Sequence, residues 1–168
     1  MNTLIRWARH LWLDAADARR ILTVPGLARL ELAVQASEAR HMGELRLCIE
    51  AGMGALTLSR GVSPRQRAIS LFSQLRVWDT EHNNGVLIYL LLAERRIEIL
   101  ADRGLQKHIP NETWQAITAA LAVSLQADQY EAGLTAAVSE VGKLLRQHFP
   151  CDGPQPNANE LPDAVVLI

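Results

Sequence analysis

Residues 83–104 read NNGVLIYLLLAERRIEILADRG, and this stretch decides the fold. Positions 86–93 are apolar at nearly every residue, which is typical of a strand that is covered on both faces. Residues 94–95 then predict a tight turn, and residues 96–100, RIEIL, alternate as a second strand does. The stretch is therefore predicted to form a β-hairpin that ends in a turn at residues 102–104.

A further strand is predicted before the hairpin. Residues 44–50, ELRLCIE, alternate between charged and apolar side chains and lie between two glycines. Ser63, Pro64 and Gln66 then form a capping-box pattern that predicts the start of a helix. Neighbouring strands joined by a helical crossover are parallel, so a mixed sheet is expected. Because a strand buried on both faces needs cover on both sides, the predicted fold class is α/β, a three-layer α/β/α sandwich with a small mixed sheet.

Helices are also predicted on either side of this core. Residues 27–41 carry a helical apolar stripe. After the hairpin, one helix is predicted to start with Asn111 as its N-cap, and a second with Asp128 as N-cap and Glu131 as capping-box partner. Residues 164–168 are expected either to add an edge strand or to fray.

Length and composition place the chain among ordinary globular proteins. It has 168 residues, of which 49% are apolar and 21% charged, and a formal net charge of -1, so neither disorder nor nucleic-acid binding is favoured. No apolar run approaches the ~18 residues of a spanning helix. Cys48 and Cys151 are expected to be unpaired. We expect an amphipathic N-terminal arm (1–26), an α/β/α domain (27–150) and a flexible C-terminal tail (151–168).

The N-terminal arm carries two tryptophans among arginines. Residues 4–13 read LIRWARHLWL, and on a helix Leu4, Ala8, Leu11 and Trp12 share one face while basic side chains gather on another. Such a helix resembles an interfacial membrane anchor, so peripheral contact with a membrane is one expectation. The alternative is that the arm packs on its own domain or on a partner chain.

Oxygen-bearing side chains are concentrated in the loop before the hairpin. Asp79, Glu81, Asn83 and Asn84 lie within six residues, and the hairpin brings this loop beside Asp102. Hard cations take oxygen ligands from such turns, so the sequence predicts a calcium or magnesium site formed by Asp79, Glu81, Asn84 and Asp102. The alternative is turn chemistry alone, because Asn-Gly and Asp-x-Gly are also the residues that tight turns need.

Common catalytic motifs are absent from the sequence. It contains no dinucleotide fingerprint, P-loop, nucleophile elbow or HExxH pattern. The five histidines show no ligand spacing, and each is expected at the surface. The sequence thus indicates neither a nucleophile nor a general base.

Taken in order, these elements resemble the TPM domain family. The resemblance covers about residues 27–149 and rests on Asn83-Asn84-Gly85 before an apolar strand, on the hairpin that follows, and on the late run 130–134, YEAGL. It implies an α/β/α sandwich that binds a divalent cation in the loops at one end of the sheet. It also implies a membrane-associated partner similar to the LemA family.

Two functions follow from this resemblance. The first is a binding module that ligates a divalent cation and docks on a membrane-associated partner. The alternative is a metal-dependent acid phosphatase acting on small phosphoesters, with Asp79 and Asp102 as metal ligands and Arg103 as a phosphate contact. The chain resembles the short bacterial type without a leader or membrane helix, so we expect it in the cytoplasm or peripherally at the inner membrane.

Overall fold

The predicted hairpin forms one side of the observed sheet, with its first strand in a central position and its second at the edge. In the computed structural model, which describes residues 3–151 and 159–168, the strands are β1 (Leu45–Glu50), β2 (Val86–Leu91), β3 (Arg96–Ala101) and β4 (Val166–Leu167). β2 pairs in parallel with β1 and antiparallel with β3, and β4 pairs in parallel with the other side of β1. The order is β3-β2-β1-β4, so the mixed sheet is confirmed and residues 164–168 do add an edge strand.

Helices cover both faces of this sheet. In chain order they are α1 (Thr3–Trp12), α2 (Ala15–Leu22), α3 (Val24–Glu38), α4 (Ala55–Ser59), α5 (Pro64–Gln74), α6 (Arg103–Gln106), α7 (Asn111–Gln126) and α8 (Tyr130–His148). One core lies between the sheet and α2, α3, α7 and α8, and a second lies between the sheet and α1, α4 and α5. Alternate residues of β2 enter the two cores, which is why the strand is apolar throughout. The three-layer α/β/α sandwich is therefore confirmed.

Two helix starts show how local capping works in this chain. Ser63 caps α5 through the N–H of Gln66, and the Gln66 side chain bonds back to the Ser63 N–H, as predicted. α3 begins three residues earlier than predicted, because Thr23 accepts a hydrogen bond from the Gly26 N–H. Pro25 therefore lies in the first turn of α3, where a missing N–H costs little.

The start of α8 differs from the prediction. Asp128 has a left-handed backbone (φ 56°), which a right-handed helix cannot include, so the helix begins at Tyr130. The Asp128 carboxylate accepts a hydrogen bond from Arg95 at 2.9 Å, and Glu131 pairs with Arg29. The capping box predicted from Asp128 and Glu131 is therefore wrong.

Two smaller elements also differ. The turn at residues 102–104 continues into α6, with the Asp102 side chain accepting a hydrogen bond from the Arg103 N–H. α7 includes Asn111 as its first residue, with Pro110 in the capping position and no side-chain cap, so the predicted Asn111 cap is wrong. Residues 152–158, within the tail predicted to be flexible, lie outside the described residues.

Candidate functional site

The loop before β2 and the turn after β3 are joined by three hydrogen bonds. The Asp102 N–H donates to the Gly85 carbonyl at 2.9 Å, and the Gly104 N–H donates to the Asn83 carbonyl at 2.9 Å. The Arg103 Nε donates to Asn83 Oδ1, also at 2.9 Å. The convergence of these two segments, expected from hairpin geometry, is therefore observed.

Two glycines in this region allow main-chain segments to approach each other closely. A Cβ on Gly85 would overlap the carbonyl oxygen of Val77, and a Cβ on Gly104 would lie 2.5 Å from the Asn83 carbonyl oxygen. Neither glycine has a positive φ, so the requirement is for space and not for a left-handed backbone. Gly85 thus lets the loop before β2 fold closely on itself, and Gly104 lets the turn after β3 pack against that loop.

Two of the four predicted metal ligands are anchored at the joint, the place where the loop before β2 meets the turn after β3. Asn84 is fully buried, and its Nδ2 donates to the Met42 carbonyl at 2.8 Å. Asp102 Oδ1 accepts the Arg103 N–H at 2.7 Å. Asn84 Oδ1 and Asp102 Oδ2 are also buried, and neither has a hydrogen-bond partner among the described residues.

The other two predicted ligands, Asp79 and Glu81, lie on the exposed part of the loop. Within residues 3–151 and 159–168, no three His, Cys, Asp or Glu side chains converge where they could hold a metal ion. A cation at this joint would therefore need the Asn84 amide oxygen, main-chain carbonyls or water beside its carboxylates.

One residue of this region was missed by the sequence analysis. The Glu160 carboxylate accepts the Glu81 N–H at 3.0 and 3.2 Å, so the C-terminal segment contacts the loop directly. The two residues are 79 positions apart, and no local pattern indicates that they meet.

A buried pair of titratable side chains lies at the same end of the sheet, where β1 begins. Glu38 Oε1 accepts the Leu45 N–H at 2.7 Å. Burial, and secondarily the neighbouring Asp163, raise the pKa of Glu38 to about 9, so its carboxyl is protonated at neutral pH. Burial lowers the pKa of His41 to about 4, so its imidazole is neutral.

The ring nitrogens of His41 are both engaged. Nδ1–H donates to the Gly43 carbonyl at 2.9 Å, which leaves Nε2 as the acceptor for the Ser37 hydroxyl at 3.0 Å. His41 and His10 are both buried, so the expectation that every histidine lies at the surface is wrong for these two. Each is buried because a partner satisfies each of its nitrogens.

The opposite end of the sheet holds a buried ion pair. Arg67 donates to both oxygens of Glu50 at 2.9–3.1 Å, and the Tyr89 hydroxyl donates to Glu50 Oε2 at 2.6 Å. Glu50 is 3% exposed, so its charge is compensated by these two neighbours and not by solvent. The network joins α5 to the two central strands.

The two cysteines are unpaired, as predicted. Burial raises the pKa of the Cys48 thiol to about 12, so this thiol does not ionise near neutral pH. Cys48 is packed in the second hydrophobic core, as an ordinary core residue is.

Helix α1 turns Arg6, Trp7 and His10 toward the domain. Arg6 Nε donates to Glu94 Oε1 at 2.7 Å, and His10 Nε2 lies 2.9 Å from the same oxygen. Leu4 and Trp12 face outward and are 78% and 87% exposed. Among the described residues, no helix combines the length and apolar composition needed to cross a bilayer.

Comparison with known proteins agrees with this architecture. The TPM domain model matches residues 15–144, which is more than half of the chain. The NMR structure of the BA42 protein from the psychrophilic bacterium Bizionia argentinensis is similar at a TM-score of 0.76 and 22% identity, covering 87% of this chain and 94% of that one. Among curated proteins, no match is found. The chain belongs to the TPM domain family.

Proposed function

We propose that this TPM domain is a binding module that takes a divalent cation, calcium or magnesium, between the loop before β2 and the turn after β3. The supporting observation is the pair of buried oxygens, Asn84 Oδ1 and Asp102 Oδ2, that lack a hydrogen-bond partner among the described residues. An unpartnered buried acceptor costs roughly 1–3 kcal/mol. Coordination to a cation would remove that cost.

The remaining ligands of the proposed site come from the exposed side of the loop. Asp79 and Glu81 are free to turn toward a cation, since neither contributes to the core. Glu160, bound to the Glu81 N–H, adds a negative charge beside them. Calcium suits such an irregular ligand set, whereas magnesium would retain several waters.

Calorimetric titration of the full chain with Ca²⁺ and with Mg²⁺ tests this proposal. At a hundredfold excess over the dissociation constant, the bound cation should stabilise the fold by about 2.7 kcal/mol. Asp102→Asn should weaken binding because it removes charge but keeps shape. Glu112→Gln, which changes an exposed residue in the first turn of α7, should bind as the wild type does. Absence of heat at millimolar cation would refute the cation site, and so would equal binding by Asp102→Asn and the wild type.

We further propose that the outward face of α1 docks at a membrane. An amphipathic helix on a globular protein ordinarily turns its apolar side inward. Here Leu4, Leu11 and Trp12 are 78%, 58% and 87% exposed, whereas Arg6 and His10 bond to Glu94 and Trp7 packs on the second core. This orientation is what an interfacial helix needs, and it would place the domain peripherally on the cytoplasmic side of the inner membrane.

Sedimentation with lipid vesicles tests the docking. The wild type should sediment with anionic vesicles at low salt, and Leu11→Glu/Trp12→Glu should not, because both changes place charge on the contact face. Val123→Glu, which changes an exposed side chain of α7, is the matched control. Equal sedimentation of the double variant would exclude the membrane contact. Sedimentation only when a LemA-like protein is present in the vesicles would assign the face to a protein partner.

The second candidate function is a metal-dependent acid phosphatase. It is favoured by the position of Arg103, which is exposed beside the proposed cation site and donates to Asn83 Oδ1. A guanidinium there could contact a phosphate held by the cation. Hydrolysis of p-nitrophenyl phosphate that requires Ca²⁺ or Mg²⁺, and is lost in Arg103→Gln, would support this function over the simple binding module.

A further inference from the structure

The outer edge of β3 is open among the described residues. β4 covers the edge of β1 at the other side of the sheet, but no described strand pairs with the outer edge of β3. A groove of about 760 Å³ follows this edge, between the strand and α7, with Arg65 of α5 at its rim. An open edge presents main-chain donors and acceptors to which another extended chain can bind.

The register identifies the main-chain groups that face the groove. The Asp102 N–H bonds to Gly85 across the hairpin, so in the alternating antiparallel pattern the N–H and C=O of residues 97, 99 and 101 point outward. Two outward carbonyls are already bound: Arg65 donates to Ile99 at 3.1 Å, and Gln106 donates to Ala101 at 3.0 Å. The groove edge is therefore richer in open donors than in open acceptors.

The walls of the groove leave room for a peptide. Ile97, Ile99 and Trp114 form apolar lining, and the α7 residues Ala119 and Ala122 are small where they face the strand. Because these two α7 side chains are small, another backbone can approach β3. The apolar lining can then contact alternate side chains of an extended segment.

The charges at the groove indicate the chemistry of its occupant. Arg65, Arg95 and Arg96 line it, against the single carboxylate of Glu98. Arg65 lies 3.3 Å from Glu98, and Arg95 is paired with Asp128 outside the groove. Arg96 is exposed and has no ion-pair partner in the described part of the chain. Both the open N–H groups and the excess of arginine favour an acidic partner.

We propose that the β3 edge is a docking groove for an extended acidic peptide segment of another protein, which adds to the sheet as a strand beside β3. The main chain of the segment would bind the outward N–H groups of Ile97, Ile99 and Ala101. An aspartate or glutamate would pair with Arg96. The groove lining includes no residue of α1 and none of the four proposed cation ligands.

The groove can be tested by selecting, from a display library of random linear nonapeptides, those that bind the full chain. The selected peptides should be enriched in Asp and Glu. Arg96→Glu should weaken their binding about tenfold, because it reverses one exposed charge at the contact. Arg60→Glu, an exposed arginine outside the groove, should leave binding unchanged.

A backbone variant distinguishes strand addition from charge attraction alone. Ala101→Pro removes an outward N–H without removing a bond to β2, and proline is tolerated at sheet edges. It should weaken the binding of selected peptides, and in the wild type the amide signals of Ile97 and Ile99 should shift and become protected from hydrogen exchange on peptide addition. The proposal is overturned by selection of no peptide, by enrichment of basic or neutral peptides, or by shifts that map elsewhere. It is also overturned if the edge proves to be occupied by a second copy of the chain that acidic peptides do not displace.

Discussion

Replacement of Glu38 by glutamine should make the stability of this domain less dependent on pH. The folded pKa of Glu38 is about 9, against an ordinary value of 4.5, so between these values the folded chain holds a proton that the unfolded chain has lost. Raising the pH through this window therefore favours unfolding, by slightly more than ~1 kcal/mol per pH unit. Glu38→Gln does not titrate, and its amide oxygen can still accept the Leu45 N–H.

The most informative part of the window lies above pH 6.5. The folded pKa of His41 is lowered to about 4, so below 6.5 the unfolded chain binds the extra proton and stability rises with pH. This opposes the effect of Glu38 between pH 4.5 and 6.5. From pH 6.5 to 8.5 the opposing effect of His41 is absent. Over this range the free energy of unfolding of the variant should increase by about 2–3 kcal/mol relative to that of the wild type.

Urea denaturation of both proteins at several pH values measures this difference. The gap in free energy of unfolding between Glu38→Gln and the wild type should widen steadily from pH 6.5 to 8.5. A constant gap would mean that Glu38 is ionised in the folded protein at neutral pH. The burial argument for its proton would then be wrong.

Three substitutions test the packing. Arg67→Ala should cost about 3–5 kcal/mol of stability, because it leaves the buried Glu50 charge without its main partner. Gly85→Ala should cost about 1–3 kcal/mol, because the added methyl group would overlap the Val77 carbonyl and force the loop to shift. Leu90→Asp should abolish folded expression, because it buries an unpaired charge in the central strand.

Matched controls distinguish these effects from general sensitivity. Arg60→Ala and Ile69→Asp change exposed residues, and Gly54→Ala adds a methyl group where no atom lies within 4 Å. Each should alter the free energy of unfolding by no more than about 0.5 kcal/mol. If a control and its test variant unfold at the same denaturant concentration, the corresponding contact does not stabilise the fold as argued.

The features that could be predicted from the sequence are those fixed by near neighbours. The capping box joins Ser63 and Gln66 across three residues, and the strand at residues 86–91 is apolar because the sheet is covered on both faces. Hairpin geometry then correctly placed Asp102 beside the loop before β2. Each inference needed only a short stretch of chain.

The features that were missed depend on distant partners. Asp128 has the composition of a helix cap, yet its backbone is left-handed and its carboxylate binds Arg95, 33 residues away. The buried histidines, such as His10, have hydrogen-bond partners that only the whole fold brings to them. Glu160 contacts the candidate cation loop through the C-terminal segment, which no periodicity connects to it.

The position of β4 has a consequence for synthesis on the ribosome. β1 and β2 can pair once the chain has emerged through residue 91, but the outer edge of β1 must wait for residues 166–167. The bond from the Leu161 N–H to Glu44 likewise closes a separation of 117 residues. A nascent chain therefore carries a nearly complete sheet whose β1 edge, like the β3 edge, is unprotected until residues 166–167 have emerged, and this is the interval in which mispairing with a neighbouring nascent chain is most favoured.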